Sequence, residues 1–500
     1  MIKFARQIIM VMKRIFSLVI IIMVLVSCTG KQVKSVDVQS ESDLAGLRVA
    51  TVSGSVYDIE LSARDDISLL LYNTESDMLQ ALLNDKTDVL VHDEVIYNAA
   101  VRKENGIRIT HVGDQSFPTA FMLRKDEQEL AQTINLVQRR MVEDGSMQRL
   151  KDFWLTDLYS QEKSYSHSPN VSSGNPIRVA VASDSAPIAF QIEKEWYGIE
   201  IDILREVGKE LGRPLDIKHY DSASSFMAVQ SGQVDLLCGC IFVTPEREKE
   251  CLFSEPYHSY HPAYFVLDRN AKSSSGNIIG KIKDGFRKSF IIENRWKYIT
   301  SGLWETLKIS LLSILLGSLL GIGIYAMSRS RRNWLRTCAR IYNGFMAGIP
   351  ELVLLLIMFY VVFAKSSIPT DLIAVITFSL FFASGVSDIY ASSLDAIPRG
   401  QTEAGLALGF TRLQTFFHIV MPQAVRRGLP LYKGLCVSLL KGTSIVGYIA
   451  IHDLTRAGDI IRSRTFDALT PLLVITLIYF LLVWLIQLLI NLATPKKKVL

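Results

Sequence analysis

The sequence predicts an α/β domain of two lobes followed by an all-α domain with five membrane-spanning helices. Strand-like and helix-like segments alternate between residues 41 and 270, which is typical of a parallel α/β sheet. From about residue 300 the chain carries five apolar runs, each close to the roughly 20 residues that a helix needs to cross a bilayer. A hydrophobic content of 49% beside 21% charged residues fits the average of a soluble half and a membrane half.

The N-terminal 28 residues are typical of an export signal. Lys13 and Arg14 precede an apolar run from Ile15 to Val26, and a small residue follows. Leu25 to Cys28 resembles a bacterial lipobox, which implies cleavage before Cys28 and a lipid on its sulfur. The alternative is an uncleaved anchor helix, and translation could also begin at Met12. Either way, the residues that follow lie outside the cytoplasm.

The α/β part is predicted in two pieces, residues 41–155 and 176–270, joined by a Ser/Asn-rich linker at 156–175. The clearest strands are predicted at 47–52, 88–91, 177–182 and 234–237, and the clearest helices at 79–83 and 203–211.

The membrane part is predicted as an amphipathic segment, 287–300, followed by a transmembrane domain, 301–493. Arginine clusters follow the first span and flank the loop between the third and fourth, and three lysines lie near the C-terminus. The positive-inside rule places these groups in the cytoplasm and residues 29–300 outside. The spans are predicted at 302–326, 343–364, 371–393, 429–450 and 469–491.

Two classes of residue stand out within these spans. Glycines permit close helix contacts: Gly317, Gly321, Gly323, Gly442 and Gly447. Charged residues are costly in a membrane and often functional, although near span ends they can snorkel or form helix-end pairs: Glu351, Asp388, Lys433 and Lys441.

The loop between the third and fourth spans, 397–424, has its own helix signals. Pro398 suits a first helical turn, and Gly409 suits a helix stop because glycine readily adopts the left-handed conformation. Thr411 and Gln414 have capping-box spacing, and an apolar face follows until Pro422 stops or kinks the second helix. The pattern predicts a helix–glycine–helix element on the inner side of the membrane.

This element resembles the EAA loop of ABC-importer permeases. Glu403, Ala404, Gly409 and Pro422 occupy the characteristic positions, with Gly405 in place of the second Ala. The resemblance implies that these five residues form an interface with a cytosolic ABC ATPase. The alternative is an ordinary amphipathic loop between membrane helices.

Three further segments are similar to polar amino-acid importer permeases of the type I class. They are Gly302 to Leu307, Gly348 to Pro350, and Ser438 to Ser444, where Gly442 replaces the usual Asp. Two such permease cores form one path in this family, which implies a homodimer here. No GxxxxGK[ST] phosphate loop occurs in the chain, so ATP hydrolysis is expected on a separate partner.

Both α/β pieces resemble periplasmic solute-binding proteins for amino acids, but in inverted order. Residues 176–270 are similar to the first lobe, through Tyr197 to Asp202, Thr244 to Arg247 and Phe253 to Tyr257. Residues 41–155 are similar to the second lobe and returning helix, through Ala81 to Asp88 and Asp144 to Met147. The resemblance implies a circularly permuted binding domain or, alternatively, remnants of two tandem domains.

A ligand site follows from charge pairing. Arg247 presents a planar, always charged fork suited to a carboxylate. Asp93 matches the family position that takes the ammonium group, and we expect the two residues to come from opposite lobes. Further ligand-facing positions are Asp184, His92, Ser53 and Gly239. The alternatives are that Arg247 pairs with Glu246 or Glu250, and that His92 merely ends a strand.

The sequence therefore predicts a binding-protein/permease subunit in the bacterial inner membrane that imports a polar amino acid, glutamine-like, glutamate-like or basic. One alternative is a permease whose external domain is regulatory or does not bind. The other is a ligand-gated channel or sensor. No metal site, cofactor or nucleic-acid partner is expected, because clustered histidines and basic patches interleaved with aromatics are lacking.

Overall fold

A computed structural model describes residues 36–155, 169–268, 283 and 285–493, apart from 98, 183–185, 193–194, 221, 365, 367, 466 and 468. The predicted signal with Cys28, most of the linker at 156–175, and Asp184 lie outside the described residues. Those predictions therefore stay predictions.

The α/β part contains fourteen strands and eight α-helices among the described residues. The strands are β1 Arg48–Val52, β2 Ser68–Tyr72, β3 Val89–Asp93, β4 Ile107–Val112, β5 Phe117–Thr119, β6 Met122–Leu123, β7 Ile177–Val181, β8 Phe190–Ile192, β9 Glu195–Tyr197, β10 Leu215–His219, β11 Leu236–Cys238, β12 Leu252–Phe253, β13 His258–Tyr260 and β14 Pro262–Leu267. The helices are α1 Val56–Leu61, α2 Glu75–Leu83, α3 Ala99–Asn105, α4 Gln128–Glu143, α5 Ser146–Trp154, α6 Ile199–Leu211, α7 Ser222–Gln230 and α8 Pro245–Glu250.

These strands form two main sheets, one in each lobe. The lobes are numbered here by chain order, so the first lobe is the one built mainly from residues 41–155, which resemble the second lobe of the solute-binding family. The first lobe has the order β2-β1-β3-β14-β4, in which β14 is antiparallel to its neighbours. The second lobe has the order β10-β7-β11-β6-β12. Each sheet thus takes a strand from the other piece of sequence, because β14 belongs to the second piece and β6 to the first. The predicted boundaries at 41–155 and 176–270 describe sequence blocks, whereas the lobes exchange strands across them.

Helices α4 and α5 return from the first piece of sequence to the second lobe. The indole Nε1 of Trp154 donates to Asp202 Oδ2 over 2.9 Å, and both residues are buried. The Trp154 ring also meets Phe190 edge-on at 5.7 Å. Apolar burial and one buried hydrogen bond therefore fix the end of α5 against α6.

The described residues of the membrane part form nine α-helices: α9 Trp296–Ser328, α10 Asn333–Gly348, α11 Glu351–Ile357, α12 Thr370–Asp395, α13 Arg399–Ala407, α14 Arg412–Thr415, α15 Met421–Gly442, α16 Leu454–Thr465 and α17 Leu469–Ala493. Three of them, α9, α12 and α17, are long and apolar enough to cross a membrane. Two bent pairs, at 333–362 and 412–465, bring the count to five if each pair is one span.

The second predicted span, 343–364, is not one helix. The helical segments on either side of the break, Asn333–Gly348 and Glu351–Val362, meet at an angle of 108°, and the break lies at Ile349 and Pro350. Ile349 is extended, with φ −100° and ψ 131°, since the ring of a proline disfavours the helical region for the residue before it. The prediction of one continuous helix here is wrong for this steric reason.

The predicted glycine contacts are present on α9. A Cβ on Gly317 would lie 2.8 Å from the carbonyl oxygen of Ser379, and one on Gly321 would lie 2.6 Å from Val386 Cβ. Both partners belong to α12, so these glycines let the two backbones approach closely. Gly323, in contrast, faces open space.

Candidate ligand site and partner surfaces

A cavity of about 80 Å³ lies between the two lobes. Five of the six residues predicted to contact ligand line it, three from the first lobe and two from the second. They are Ser53, His92, Asp93, Gly239 and Arg247. The sixth, Asp184, lies outside the described residues.

Asp93 ends strand β3 and is 2% exposed. Its Oδ1 accepts a hydrogen bond from the Tyr57 hydroxyl, and its Oδ2 accepts one from Cys240 Sγ over 3.2 Å, across the cleft. Burial, with the charge of Asp93, raises the pKa of the Tyr57 hydroxyl, which keeps it a donor. A carboxylate can accept about four hydrogen bonds, so two positions remain for a ligand.

His92 precedes Asp93 and is nearly as buried. Its Nδ1 lies 2.8 Å from the backbone N–H of Asp93 and accepts from it. The ring therefore folds back on the end of its own strand, as the alternative interpretation expected, and it also lines the cavity.

Arg247 lies in α8, whose cap residue Thr244 accepts from the Arg247 backbone N–H over 3.4 Å. Its Nη1 donates to the carbonyl of Phe242 over 3.0 Å, and its Nη2 donates to that of Gly54 over 2.8 Å. Burial lowers the pKa of this guanidinium, but Arg remains charged in proteins.

The predicted alternative, a pair with Glu246 or Glu250, is not formed among the described residues. Instead, the Arg247 guanidinium lies 4.7 Å over the ring centroid of Phe226. Three of its five N–H groups are left for a ligand carboxylate. Sequence reasoning missed Phe226, because nothing near it in the chain marks it as a residue of the cavity wall.

Glu200 is a second residue that sequence reasoning missed. Its buried carboxylate accepts from the backbone N–H of Gly239 over 2.5 Å and from that of Cys240 over 3.1 Å. The Tyr257 hydroxyl donates to it over 2.6 Å. Burial raises the pKa of Glu200. Because Gly239 and Cys240 both have positive φ, this carboxylate holds a strained turn at the cavity wall.

The second lobe rests on the membrane part. Gln233 Nε2 donates to the carbonyls of Phe359, over 3.1 Å, and Ala364, over 3.2 Å. The Tyr360 hydroxyl donates to the carbonyl of Ser224 over 3.1 Å. Ser224 and the cavity-lining Phe226 share helix α7, so one helix contacts both the cavity and the membrane part.

The first lobe contacts the membrane part through helix α2. Ser76 Oγ donates to the carbonyl of Arg462 over 3.1 Å, and the Arg462 guanidinium pairs with Asp77. Glu75, in the same helical turn, lines the cavity. Each lobe therefore has a helix that lies between the cavity and the membrane helices.

The EAA-like element forms the two predicted helices, α13 and α14. Gly409 has φ +84°, and the capping box between Thr411 and Gln414 is present in both directions. The helix does not stop at Pro422, however. It continues through a π-helical turn at Phe416–Val420 into α15, so of the two predicted outcomes at Pro422, a stop or a kink, the stop does not occur.

The element exposes an apolar surface. Leu408 is 76% exposed, Leu413 71% and Phe417 57%, and Glu403 and Ala404 are exposed beside them. Gly405 is buried, and a Cβ there would lie 2.5 Å from Thr415 Cγ2. Gly405 therefore lets α13 pack directly on α14, while the flanking residues face outward.

Comparisons with known proteins find two kinds of similarity in this chain. The family model described as bacterial extracellular solute-binding proteins, family 3, matches residues 177–425, a range that includes the second lobe and runs on through membrane helices. The chain is similar to the probable amino-acid ABC transporter permease protein YckA of Bacillus subtilis (strain 168), with 32% identity over 39% of this chain and 86% of that protein. It is also similar to the L-cystine transport system permease protein TcyB of the same organism, with 33% identity over 39% and 83%.

Among solved structures, a crystal structure of an amino acid ABC transporter with histidines is 28% identical to this chain. The match covers 44% of this chain and 98% of that one, with a TM-score of 0.38.

Proposed function

The chain belongs to the permease family of amino-acid ABC transporters and carries a solute-binding domain of family 3, and we propose that it both captures and translocates a polar amino acid in an ATP-driven importer. The observation that carries this proposal is the cavity between the lobes. Asp93 and Arg247, of opposite charge, line it from opposite sides. A free amino acid presents an ammonium and a carboxylate at a fixed separation, so binding would bridge the lobes.

Direct contact between the lobes and the membrane part supports a transfer function. The carbonyls of Phe359 and Ala364 and the guanidinium of Arg462 receive contacts from different lobes. Opening or closing of the cleft would therefore change contacts with both membrane segments. This arrangement lets ligand occupancy alter the membrane domain without a second binding protein.

The opposite end of the membrane part supports an ATPase partner. Arg329, which follows α9, pairs with Asp395, which ends α12 just before the EAA-like element, so the ends of both helices lie beside that element. The element's exposed apolar residues and Glu403 form a surface suited to docking on a cytosolic ABC ATPase. We infer that this end faces the cytoplasm of a cell whose inner membrane holds the protein, and that two copies form one path.

We also infer that the binding domain is circularly permuted. Strand β14, from the second piece of sequence, completes the sheet of the first lobe, and strand β6, from the first piece, completes the sheet of the second lobe. Helix α5 returns to the second lobe, where Trp154 bonds to Asp202. Two truncated tandem domains would each lack one wall of the cleft. Here two lobes that exchange strands supply both walls of a single cleft. One complete bilobed domain is therefore the more economical description.

A regulatory external domain is the second candidate, and one observation favours it. Asp93 already accepts hydrogen bonds from Tyr57 and Cys240, so protein groups occupy half of its acceptor positions without ligand. A test is to measure binding of the twenty amino acids to the full-length protein in lipid nanodiscs, then ATP-dependent uptake after reconstitution with its ATPase. Binding followed by uptake of the same amino acid supports the importer, whereas ATP-driven uptake without any binding supports the regulatory domain.

A further inference from the structure

An entry segment, residues 285–300, leads into the first long membrane helix, α9, and has two unlike faces. One face is buried, and its apolar members share a core cluster with α16 and α17: Ser289, Phe290, Arg295, Tyr298 and Ile299. The other face is apolar, and each of its side chains is about half exposed: Phe286, Ile291, Ile292 and Trp296. An uncovered group of large apolar side chains marks an interaction surface.

The entry segment lies level with the start of the membrane helix α17. A Cβ on Gly285 would lie 2.7 Å from Thr470 Oγ1, and Ser289 Oγ donates to Asp467 Oδ2 over 3.4 Å. From Leu469 onward, almost none of the apolar window of α17 is buried within the protein, so this helix faces lipid. The uncovered face of the entry segment therefore lies beside the surface that the bilayer covers.

The entry segment and the residues just before it are basic. Residues 281–297 contain six Lys or Arg against two acidic residues. Arg287, next in the chain to Phe286, is exposed, and no carboxylate of the described residues pairs with it. The positive-inside rule favours Lys and Arg at the cytoplasmic end of a span, whereas this cluster lies at the end that carries the binding domain. A local anionic partner accounts for positive charge placed there.

Two tryptophans agree with a position at the membrane surface. Trp296, in the entry segment, and Trp304, two turns later on α9, are both exposed. Indole rings are enriched at the level of the lipid headgroups, because one side of the ring is apolar and its N–H is polar. An apolar face, basic residues and tryptophan together are the composition of a segment that lies in the plane of the interface.

We propose that the entry segment binds anionic phospholipid in the leaflet on the side of the binding domain. Arg287 contacts the lipid phosphate, and the uncovered apolar face lies against the upper part of the acyl chains. The planar guanidinium matches the geometry of a phosphate, and an anionic surface attracts each basic residue held near it. A zwitterionic lipid would meet the same apolar face without the net charge.

Lipid binding at this place bears on the binding domain. The Tyr298 hydroxyl donates to the carbonyl of Gln191, in strand β8, over 3.4 Å. The same hydroxyl accepts from Arg464 Nη1, in α16, over 3.0 Å. A lipid-bound entry segment therefore gives the binding domain a fixed contact at the bilayer surface.

The test is quenching of tryptophan fluorescence in the full-length protein, held in nanodiscs with acyl-brominated phosphatidylglycerol or phosphatidylcholine at equal mole fraction. The difference between the unsubstituted protein and Trp296→Phe isolates the signal of Trp296. Trp196→Phe is the matched control, because Trp196 is buried in the binding domain and its signal should be quenched by neither lipid. We expect both lipids to quench Trp296, the anionic one about fivefold more strongly, as one basic residue near an anionic surface requires.

The preference should depend on charge. Arg287→Gln should remove most of it, and so should about 1 M salt, at which the screening length is about 3 Å. Lys209→Gln is the matched control, since Lys209 is exposed on α6 of the binding domain, 3.9 Å from Glu206. This variant loses the same charge and should leave the preference unchanged.

A Trp296 signal that neither lipid quenches would show that another occupant, such as a second copy of the chain, covers this face, and would overturn the proposal. Equal quenching by the two lipids, unaffected by Arg287→Gln, would overturn the recognition of anionic lipid. If Arg287→Gln lowers the melting temperature, Arg287→Lys, which keeps the charge, should retain the preference. Loss of the preference in Arg287→Lys at an unchanged melting temperature would overturn the assignment to charge.

Discussion

Arg247 of the second lobe donates a hydrogen bond over 2.8 Å to the carbonyl oxygen of Gly54 in the first lobe. The same guanidinium is stacked over Phe226, which orients its fork. A cation that is both oriented by a ring and bonded across the cleft can bind a carboxylate and hold the lobes together. Several expected outcomes depend on this and related contacts.

Arg247→Lys should weaken amino-acid binding, because an ammonium group cannot bridge a carboxylate and stack on Phe226 at once. A hydrogen bond to a charged group contributes about 1.5–3 kcal/mol, so the Kd should rise about 10- to 100-fold. Calorimetry on the full-length protein measures this. Arg213→Lys is the matched control, since Arg213 Nε donates to the carbonyl of Asn175 in the same lobe and does not line the cavity. An unchanged Kd for Arg247→Lys would remove Arg247 from the ligand site.

Glu403→Lys should abolish ATP-coupled uptake and leave amino-acid binding intact. Glu403 is exposed beside the apolar surface of the EAA-like element. A reversed charge at a partner surface costs about 2–5 kcal/mol of the association free energy. Uptake and binding are measured on the same reconstituted sample. Glu143→Lys, at the exposed end of α4, makes the same change in charge on the external domain and should leave uptake normal. Normal uptake by the Glu403 variant would place the ATPase contact elsewhere.

Gly405→Ala should destabilise the helix pair, since the new Cβ would lie 2.5 Å from Thr415 Cγ2. Overpacking of this kind costs about 1–3 kcal/mol of the free energy of unfolding. Thermal unfolding in detergent measures the loss. The double variant Gly405→Ala/Thr415→Ala removes the obstructing methyl group, and we expect it to recover most of the stability. Equal losses in the single and double variants would show that the two side chains are not coupled.

Acidification should loosen the contact between the second lobe and α16. His219 lies against Arg456, and burial, reinforced by the charges of Arg456 and His452, lowers its pKa well below 6.5 in the docked state. The docked state thus binds fewer protons than the undocked one. Its stabilisation is complete above pH about 6.5, the unperturbed value, and is lost as the pH falls toward the docked pKa.

Hydrogen–deuterium exchange of the β10 backbone in the full-length protein, at pH 7.5 and pH 5.5, measures this effect. We expect lower protection factors, which are exchange rates corrected for the intrinsic rate at each pH, at the lower pH, and a smaller difference in His219→Gln. Identical protection factors at both pH values in the unsubstituted protein would contradict the prediction.

Local patterns in the sequence determined much of this protein. Helix caps and stops at Gly409 and Thr411 depend on a few neighbouring residues, so the two helices of the EAA-like element could be predicted individually. Apolar run length located the membrane helices. The charge of a guanidinium pointed to Arg247, and the resemblance to solute-binding proteins pointed to Asp93. These features need only residues near each other in the chain, a known charge or a family pattern.

The tertiary structure alone decided how distant residues meet. Tyr57 and Cys240 donate hydrogen bonds to Asp93, and Glu200 holds the Gly239 turn. Ser76 and Gln233 contact the membrane helices. For none of these residues do its neighbours in the chain indicate which partner it contacts. The exchange of β6 and β14 is likewise fixed by sheet pairing between segments more than a hundred residues apart. Periodicity states which face of an element is buried, whereas packing in three dimensions decides what is buried against it.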